Sequence, residues 1–141
     1  MALKFHPEPG TILVCDYGTG FQAPEMVKRR PAIVISPRLR RREGLCAVVP
    51  LSQTAPAHIM DYHCRIELER PLPKPWDSPS HWVKADMLAT VSFQRLDLIR
   101  TGRGPDGKRK YLNIQLDDAN MQKVKACILN ALGLSSLTVH L

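Results

Sequence analysis

The sequence predicts a mainly β protein with a C-terminal helix, in which short antiparallel strands form one small, strongly bent sheet or barrel. The chain has 141 residues and is 44% hydrophobic, which suits a single domain spanning residues 1–141. Short apolar segments separated by Gly and Pro turns follow one another along most of the chain, whereas a long helical period occurs near its end.

Three apolar segments predict the first three strands. Residues 11–17 are β-branched and apolar and end before Gly18 and Gly20. Residues 31–36 begin with a proline, whose missing N–H is tolerated at the first position of a strand. Residues 45–52 are rich in valine and too short for a helix, so they predict a third strand that ends at Ser52.

The central part of the chain predicts shorter elements. Polar and apolar residues alternate over residues 61–69, the period of a half-exposed strand. The proline-rich residues 70–80 predict a surface loop, and residues 81–86 a short strand. Residues 90–96 are compatible with one helical turn or a tight loop, and residues 102–107 with a turn.

One long helix is predicted near the C-terminus. Asp117 or Asp118 provides an N-terminal cap, and Gly133 a terminating residue. The helix is expected to pack on the sheet through one apolar face, formed by Met121, Val124, Ile128 and Leu132.

Composition and charge narrow the function classes. The net charge of +7 favours polyanionic partners such as RNA, DNA or an acidic protein. Cys15, Cys46, Cys64 and Cys127 form no paired motif and are expected to be reduced core thiols. His58, His63 and Cys64 come nearest to a metal-binding set but do not complete one. Neither a membrane span nor a signal-peptide core is found, so the expected location is the cytoplasm.

The charged loop that leads into the second predicted strand is the first candidate for chemistry. It contains Glu25 and Arg30, five residues apart. A guanidinium can hold a phosphate and stabilise the charge of a phosphorane, and a carboxylate can accept a proton. The alternative is a weak, exposed ion pair without catalytic function.

Other candidates lie at predicted strand ends. Ser52 could donate to a phosphate oxygen or cap its own turn. Lys84 and Asp86 would share one face of a strand, as phosphate ligand and proton carrier or as a salt bridge. His63 could act as an acid or a base near neutral pH, or could be an exposed strand histidine.

A further group of residues is expected to contact a nucleic acid. Basic loops contact phosphates without regard to sequence, and aromatic rings stack on unpaired bases. Tyr17 is a further candidate for stacking, together with Phe21. The candidate RNA-binding residues are Phe21, Lys28, Arg29, Arg38, Arg40 and Arg41.

These segments together resemble the MazF/PemK family of toxins from type II toxin–antitoxin systems. The resemblance covers nearly the whole chain and rests on residues 9–14, on Glu25 with residues 29–36, on residues 48–52 and on residues 83–86. It implies a small SH3-like, CcdB/MazF-like β-barrel, a homodimer, and sequence-specific, metal-independent cleavage of single-stranded RNA without a cofactor. It also implies an antitoxin partner that covers the RNA groove.

The resemblance implies roles for individual residues. Arg30 stands where the family has its catalytic arginine, Glu25 where some members have an acid, and Ser52 where Thr or Ser lies near the phosphate. Asp86 matches an aspartate that acts as the base in the PemK-like branch. Lys84 stands where that branch has an arginine acting as the acid, and a lysine lacks the planar guanidinium geometry of an arginine.

Two other classes of function remain open at this point. A catalytically inactive nucleic-acid- or partner-binding module would keep the basic loops. A gyrase-poison-like toxin of the same fold would need a C-terminal tryptophan, whereas this chain ends in Thr138-Val139-His140-Leu141.

Overall fold

The structure is a computed structural model that describes residues 3–141. In this part of the chain, ten strands precede one α-helix, and the single C-terminal helix agrees with the sequence prediction. The strands are β1 (Thr11–Asp16), β2 (Arg29–Val34), β3 (Leu45–Ser52), β4 (His63–Glu67), β5 (Ser80–Lys84), β6 (Ala89–Ser92), β7 (Leu96–Asp97), β8 (Ile99–Arg103), β9 (Arg109–Leu112) and β10 (Ile114–Gln115). The helix is α1 (Asp118–Ala131), and 3₁₀ helices span Ala85–Met87, Phe93–Arg95 and Ser135–His140.

Eight strands form one bent antiparallel sheet in the order β10-β1-β2-β3-β5-β4, with β6 paired to β3 and β7 paired to β1. The first half of β3 pairs with β6, and its last two residues pair with β5. The 3₁₀ helix Phe93–Arg95 connects β6 to β7, so β1, β2, β3, β6 and β7 surround a common interior, although no strand pairing completes the circle. This is the mainly β, barrel-like fold with a C-terminal helix that the sequence predicts.

The first three strands have consecutive apolar residues because both faces of these segments are buried. In β1, Leu13 and Cys15 belong to the barrel interior, whereas Ile12 and Val14 belong to a second core beneath α1. A strand buried on both faces needs apolar residues at consecutive positions rather than at alternate ones. The same double burial fixes the register of these strands, since a one-residue slip would exchange the two cores.

Helix α1 begins and ends where its sequence signals place it. The Asp117 side chain caps the helix by accepting a hydrogen bond from the Asn120 N–H at 2.7 Å. Gly133 has a φ of +73°, the left-handed conformation that favours glycine. The apolar face ends one turn earlier than predicted, because Leu132 is 58% exposed. The buried residues of α1 are Met121, Val124, Cys127 and Ile128.

Several predicted bounds are wrong in detail. The second strand is Arg29–Val34 rather than residues 31–36, so the proline is its third residue. The strand predicted over residues 61–69 is shorter, His63–Glu67, and the one over residues 81–86 is Ser80–Lys84. Residues 90–96 combine the end of β6, the 3₁₀ turn Phe93–Arg95 and the start of β7. The predicted turn at residues 102–107 connects β8 and β9, which pair as a separate hairpin.

All four cysteines are free thiols, and three of them are buried. Burial raises the pKa of the Cys15 and Cys46 thiols to about 11. Within residues 3–141, no helix combines the length and the apolar character that crossing a bilayer requires.

Candidate functional site

The candidate residues from three strands meet at one end of the sheet. Arg30 lies at the start of β2, Ser52 at the end of β3 and Lys84 at the end of β5. Because β2 and β3 are antiparallel, the start of β2 lies beside the end of β3, and the last two residues of β3, Leu51 and Ser52, pair with Val83 and Trp82, which directly precede Lys84. His63 is the register partner of Lys84 on β4. Antiparallel pairing therefore assembles residues that are far apart in the sequence.

The Arg30 guanidinium is held in place by Ser52. An Arg30 Nη1–H donates a hydrogen bond to Ser52 Oγ at 3.1 Å, and Ser52 is only 2% exposed. Ser52 Oγ also accepts from the Thr54 N–H at 3.1 Å, so the serine caps its own turn as well. Arg30 Nε is buried and has no hydrogen-bond partner among the described residues. A buried N–H without an acceptor is costly to the folded state, so this donor is a local strain on the site.

Lys84 lies close enough to Arg30 for the two positive charges to repel each other. Burial, and secondarily the charge of Arg30, lower the pKa of Lys84, while the nearby Asp86 carboxylate opposes the change. The expectation that Lys84 and Asp86 share a strand face is wrong, because β5 ends at Lys84 and Asp86 lies in the 3₁₀ helix Ala85–Met87. A lysine with a lowered pKa is a better proton donor than a free lysine.

His63 is not the exposed strand histidine that was one of its alternatives. Its side chain is 7% exposed, and its Nε2 lies 3.7 Å from Asp86 Oδ1. The Met60 N–H donates to His63 Nδ1 at 3.1 Å, so Nδ1 carries no proton in this arrangement and Nε2 presents its N–H to Asp86. The contact between His63 and Asp86 is longer than a hydrogen bond, and the Asp86 side chain is 40% exposed.

Glu25 lies in the loop between β1 and β2 and is exposed, and its Oε2 accepts a hydrogen bond from the Gln22 N–H at 2.7 Å. Glu25 and Asp86 line the same cleft, of about 420 Å³. Phe21 lines this cleft too. Two acidic residues and an aromatic residue therefore line one cleft, whose lining does not include Arg30, Ser52 or Lys84.

The aromatic residues of the β1–β2 loop differ in exposure. Tyr17 is fully buried in the barrel interior, so the expectation that it stacks on a base is wrong. Phe21 packs edge-on against Tyr17 with ring centres 5.4 Å apart, and the Arg95 guanidinium carbon lies 4.7 Å from the centre of the Phe21 ring. Arg95 also donates to the carbonyl groups of Asp16 and Thr19. Sequence reasoning missed Arg95 because the groups it holds are more than 70 positions away in the chain.

Two basic residues flank the mouth of the site. Lys28 and Arg29 are exposed, one at the end of the β1–β2 loop and the other at the start of β2. The Arg29 guanidinium carbon lies 5.8 Å from the centre of the Trp76 ring, which belongs to the proline-rich loop. This contact joins the two loops that border the site.

The remaining basic candidates lie elsewhere. Arg38, Arg40 and Arg41 belong to the loop between the end of β2 and the start of β3, whereas Arg30 and Ser52 lie at the opposite ends of these strands. The structure therefore does not bring these three arginines to the Arg30 site. Among the described residues, no three His, Cys, Asp or Glu side chains cluster as metal ligands would.

Comparisons with known proteins agree with this architecture. The sequence model of the PemK-like, MazF-like toxins of type II toxin–antitoxin systems matches residues 8–132. A Haemophilus influenzae protein is 31% identical, over 97% of this chain and 98% of its own length.

Two solved structures share the fold. A mycobacterial endoribonuclease in complex with its cognate antitoxin has a TM-score of 0.61 at 22% identity, covering 92% of this chain and 97% of its own. MazF from Deinococcus radiodurans has a TM-score of 0.60 at 19% identity, covering 92% of this chain and 99% of its own. The chain therefore belongs to the family of PemK-like, MazF-like toxins of type II toxin–antitoxin systems.

Proposed function

We propose that this protein is an endoribonuclease toxin that cleaves single-stranded RNA by attack of the 2′-hydroxyl group. The arrangement around Arg30 carries the proposal: a guanidinium fixed by Ser52, beside a lysine of lowered pKa and a carboxylate. The similarity to an endoribonuclease and to MazF supports the same reaction class.

In the proposed mechanism, Asp86 accepts the proton of the 2′-hydroxyl, and the 2′-oxygen attacks the adjacent phosphorus. Asp86 is suited to this role because its carboxylate is partly exposed and lies near both His63, at 3.7 Å, and Lys84. The attack forms a phosphorane whose non-bridging oxygens carry the additional negative charge. Arg30 binds these oxygens with the donors that Ser52 leaves free.

Lys84 then protonates the departing 5′-oxygen. Burial and the positive charge of Arg30 lower the pKa of Lys84, which makes its ammonium group a stronger acid. The bond between phosphorus and the 5′-oxygen breaks, leaving a 2′,3′-cyclic phosphate and a 5′-hydroxyl end. No metal ion takes part in this scheme. Asp86 accepts one proton, Lys84 donates another, and Arg30 supplies the electrostatic stabilisation.

Glu25 is the alternative base. Glu25 lines the same cleft as Asp86, but it is exposed and belongs to a loop. The nearby Phe21 ring is suited to stack on a base beside the scissile bond, and Lys28 and Arg29 are suited to contact phosphates. Messenger RNA in the cytoplasm is the proposed substrate, and the shape of this cleft would determine which short sequences are cut.

An antitoxin and a second copy of the chain are the proposed protein partners. The similarity to an endoribonuclease in complex with its cognate antitoxin supports the first. Exposed apolar side chains near the C-terminus support a homodimer, because monomeric proteins rarely expose large apolar patches to water. They are Leu132, Leu134, Leu137, Val139 and Leu141. Sedimentation equilibrium of the purified protein would test the dimer.

The test of the proposed function is cleavage of a long RNA by purified protein in the presence of EDTA. Cuts at defined sequences with 5′-hydroxyl ends are expected. A matched oligonucleotide with a single 2′-deoxyribose at a mapped cut site should remain intact, because it lacks the nucleophile. Absence of cutting, or equal cutting of the deoxy substrate, would refute the mechanism.

A further inference from the structure

A second cleft lies far from Arg30, beside the loop that joins β2 to β3. Its volume is about 550 Å³, and we refer to it as the distal cleft. Its lining includes both basic and aromatic side chains: Lys4, Phe5, His6, Arg38, Arg42 and Phe93.

The charge of the distal cleft is mostly uncompensated. Arg38 has an ionic contact with Glu43 at 3.9 Å, but the two side chains are 75% and 88% exposed, so this pair is weak. Lys4 and Arg42 add two further cations. An exposed cluster of basic side chains attracts a polyanion regardless of the sequence of that polyanion.

The arginine loop is an ordered turn. Leu39 and Arg42 form an isolated antiparallel bridge, and the Arg42 N–H donates to the Leu39 carbonyl at 3.2 Å. Arg40 and Arg41 occupy the turn between them, where Arg41 has a φ of 58°. Arg38 and Arg42 are therefore held at the base of the turn, on the side of the cleft.

The aromatic residues indicate which polyanion fits. Phe5 is 58% exposed. The rings of His6 and Phe93 pack edge to face with centres 5.6 Å apart. Exposed aromatic rings beside cations are typical of surfaces that bind single-stranded nucleic acid, because bases stack on the rings and phosphates contact the cations. An acidic peptide would use the cations but would have no need of an exposed Phe5.

The distal cleft and the Arg30 site lie at opposite ends of the same strand. Gly44, in the cleft, directly precedes β3, and Ser52 is the last residue of β3. Eight residues of extended strand span about 25 Å. We propose that the distal cleft binds single-stranded RNA away from the scissile bond, as a secondary binding site for a long substrate. The proposal rests on the proposed function in taking RNA as the substrate.

The test measures binding of a fluorescent 24-nucleotide oligouridylate to the full chain carrying Arg30→Ala, which should slow cutting about 10³-fold or more. Adding Lys4→Glu and Arg42→Glu should weaken binding about tenfold or more and reduce the salt slope by about 1.4, since each lost phosphate contact removes about 0.7. Phe5→Ala should weaken binding about fivefold through lost stacking. The matched control, Lys123→Glu with Lys125→Glu, makes the same change in net charge on the exposed face of α1 and should have a smaller effect.

Equal effects of the two charge-reversal pairs would overturn the proposal. So would tighter binding of a 20-residue polyglutamate than of the oligouridylate together with no effect of Phe5→Ala, because that result would assign the cleft to an acidic protein segment. Cleavage is measured in parallel with Arg30 intact. Loss of affinity at the cleft without any RNA cleavage would count against the proposed function alone, whereas normal cleavage with control-like affinity would count against the distal cleft alone.

Discussion

Replacing Arg30 should abolish most of the activity while leaving the fold intact. In the structure, an Nη1–H of its guanidinium group is used by Ser52, which leaves the other Nη N–H groups for a phosphorane oxygen. Loss of a single donor to such an oxyanion costs about 10²- to 10³-fold in kcat, or about 2.7–4 kcal/mol. Arg30→Ala removes the charge as well as the donors, so a loss of about 10³-fold or more is expected. Arg30→Lys keeps the charge without the fork and should lose about 10²-fold.

The assay is the single-turnover rate of cleavage of an RNA with a mapped cut site, at saturating protein. Ser52 Oγ still accepts from the Thr54 N–H in the Arg30→Ala variant, so unfolding should become easier by only about 1 kcal/mol. Arg65 provides a matched control, because it donates to Ser80 Oγ at 3.0 Å in an exposed part of the sheet. Arg65→Ala should leave the rate within about threefold of the parent. A folded Arg30→Ala variant that cuts within tenfold of the parent rate would refute the reasoning.

Three further predictions concern proton transfer and stability. Because burial and a neighbouring charge lower the pKa of Lys84, kcat/KM should fall on the alkaline side below the ordinary lysine pKa of 10.5, and Lys84→Arg should lower the maximal rate while removing this alkaline limb; an unchanged profile would contradict the role. Asp86→Asn should reduce the single-turnover rate about 10²- to 10⁴-fold and Glu25→Gln much less, and the reverse order would assign the base to Glu25. Burial lowers the pKa of His81 from its ordinary 6.5, so the unfolded state takes up the proton first and the melting temperature should fall as the pH drops below 6.5. His81→Gln should flatten that dependence, and an equally steep fall in the variant would show that other groups cause it.

The sequence was most informative where a local pattern and the packing of the fold agree. Strand β3 has the predicted bounds, Leu45–Ser52, because a valine-rich apolar segment of this length is too short for a helix. Asp117 and Gly133 place the ends of α1 because capping depends on neighbouring residues alone. The placement of Arg30 beside Ser52 follows from β2 and β3 being antiparallel neighbours.

The remaining features depend on contacts between distant parts of the chain, which short-range patterns do not contain. Tyr17 is buried because β1 continues into the barrel interior, although its neighbours in the sequence are loop glycines. His63 has the alternating context of a half-exposed strand, yet the Met60 N–H and Asp86 enclose it. Leu132 fits the helical period but lies beyond the part of α1 that the sheet covers. In each case, the three-dimensional neighbours decide the environment of the residue.

The position of Pro31 in the third place of β2 has a consequence for the proposed catalytic role of Arg30. A residue that precedes proline is restricted to extended backbone conformations, so Arg30 has little backbone freedom even before the sheet forms. The backbone conformation of Arg30 is therefore restricted by the covalent structure of the following proline. The hydrogen bond to Ser52 needs to fix only the side chain of Arg30. A rigid donor loses less entropy when the transition state forms, which is a contribution to rate that involves no contact with RNA. In this protein, a residue without any reactive group would thus contribute to the chemistry of its neighbour.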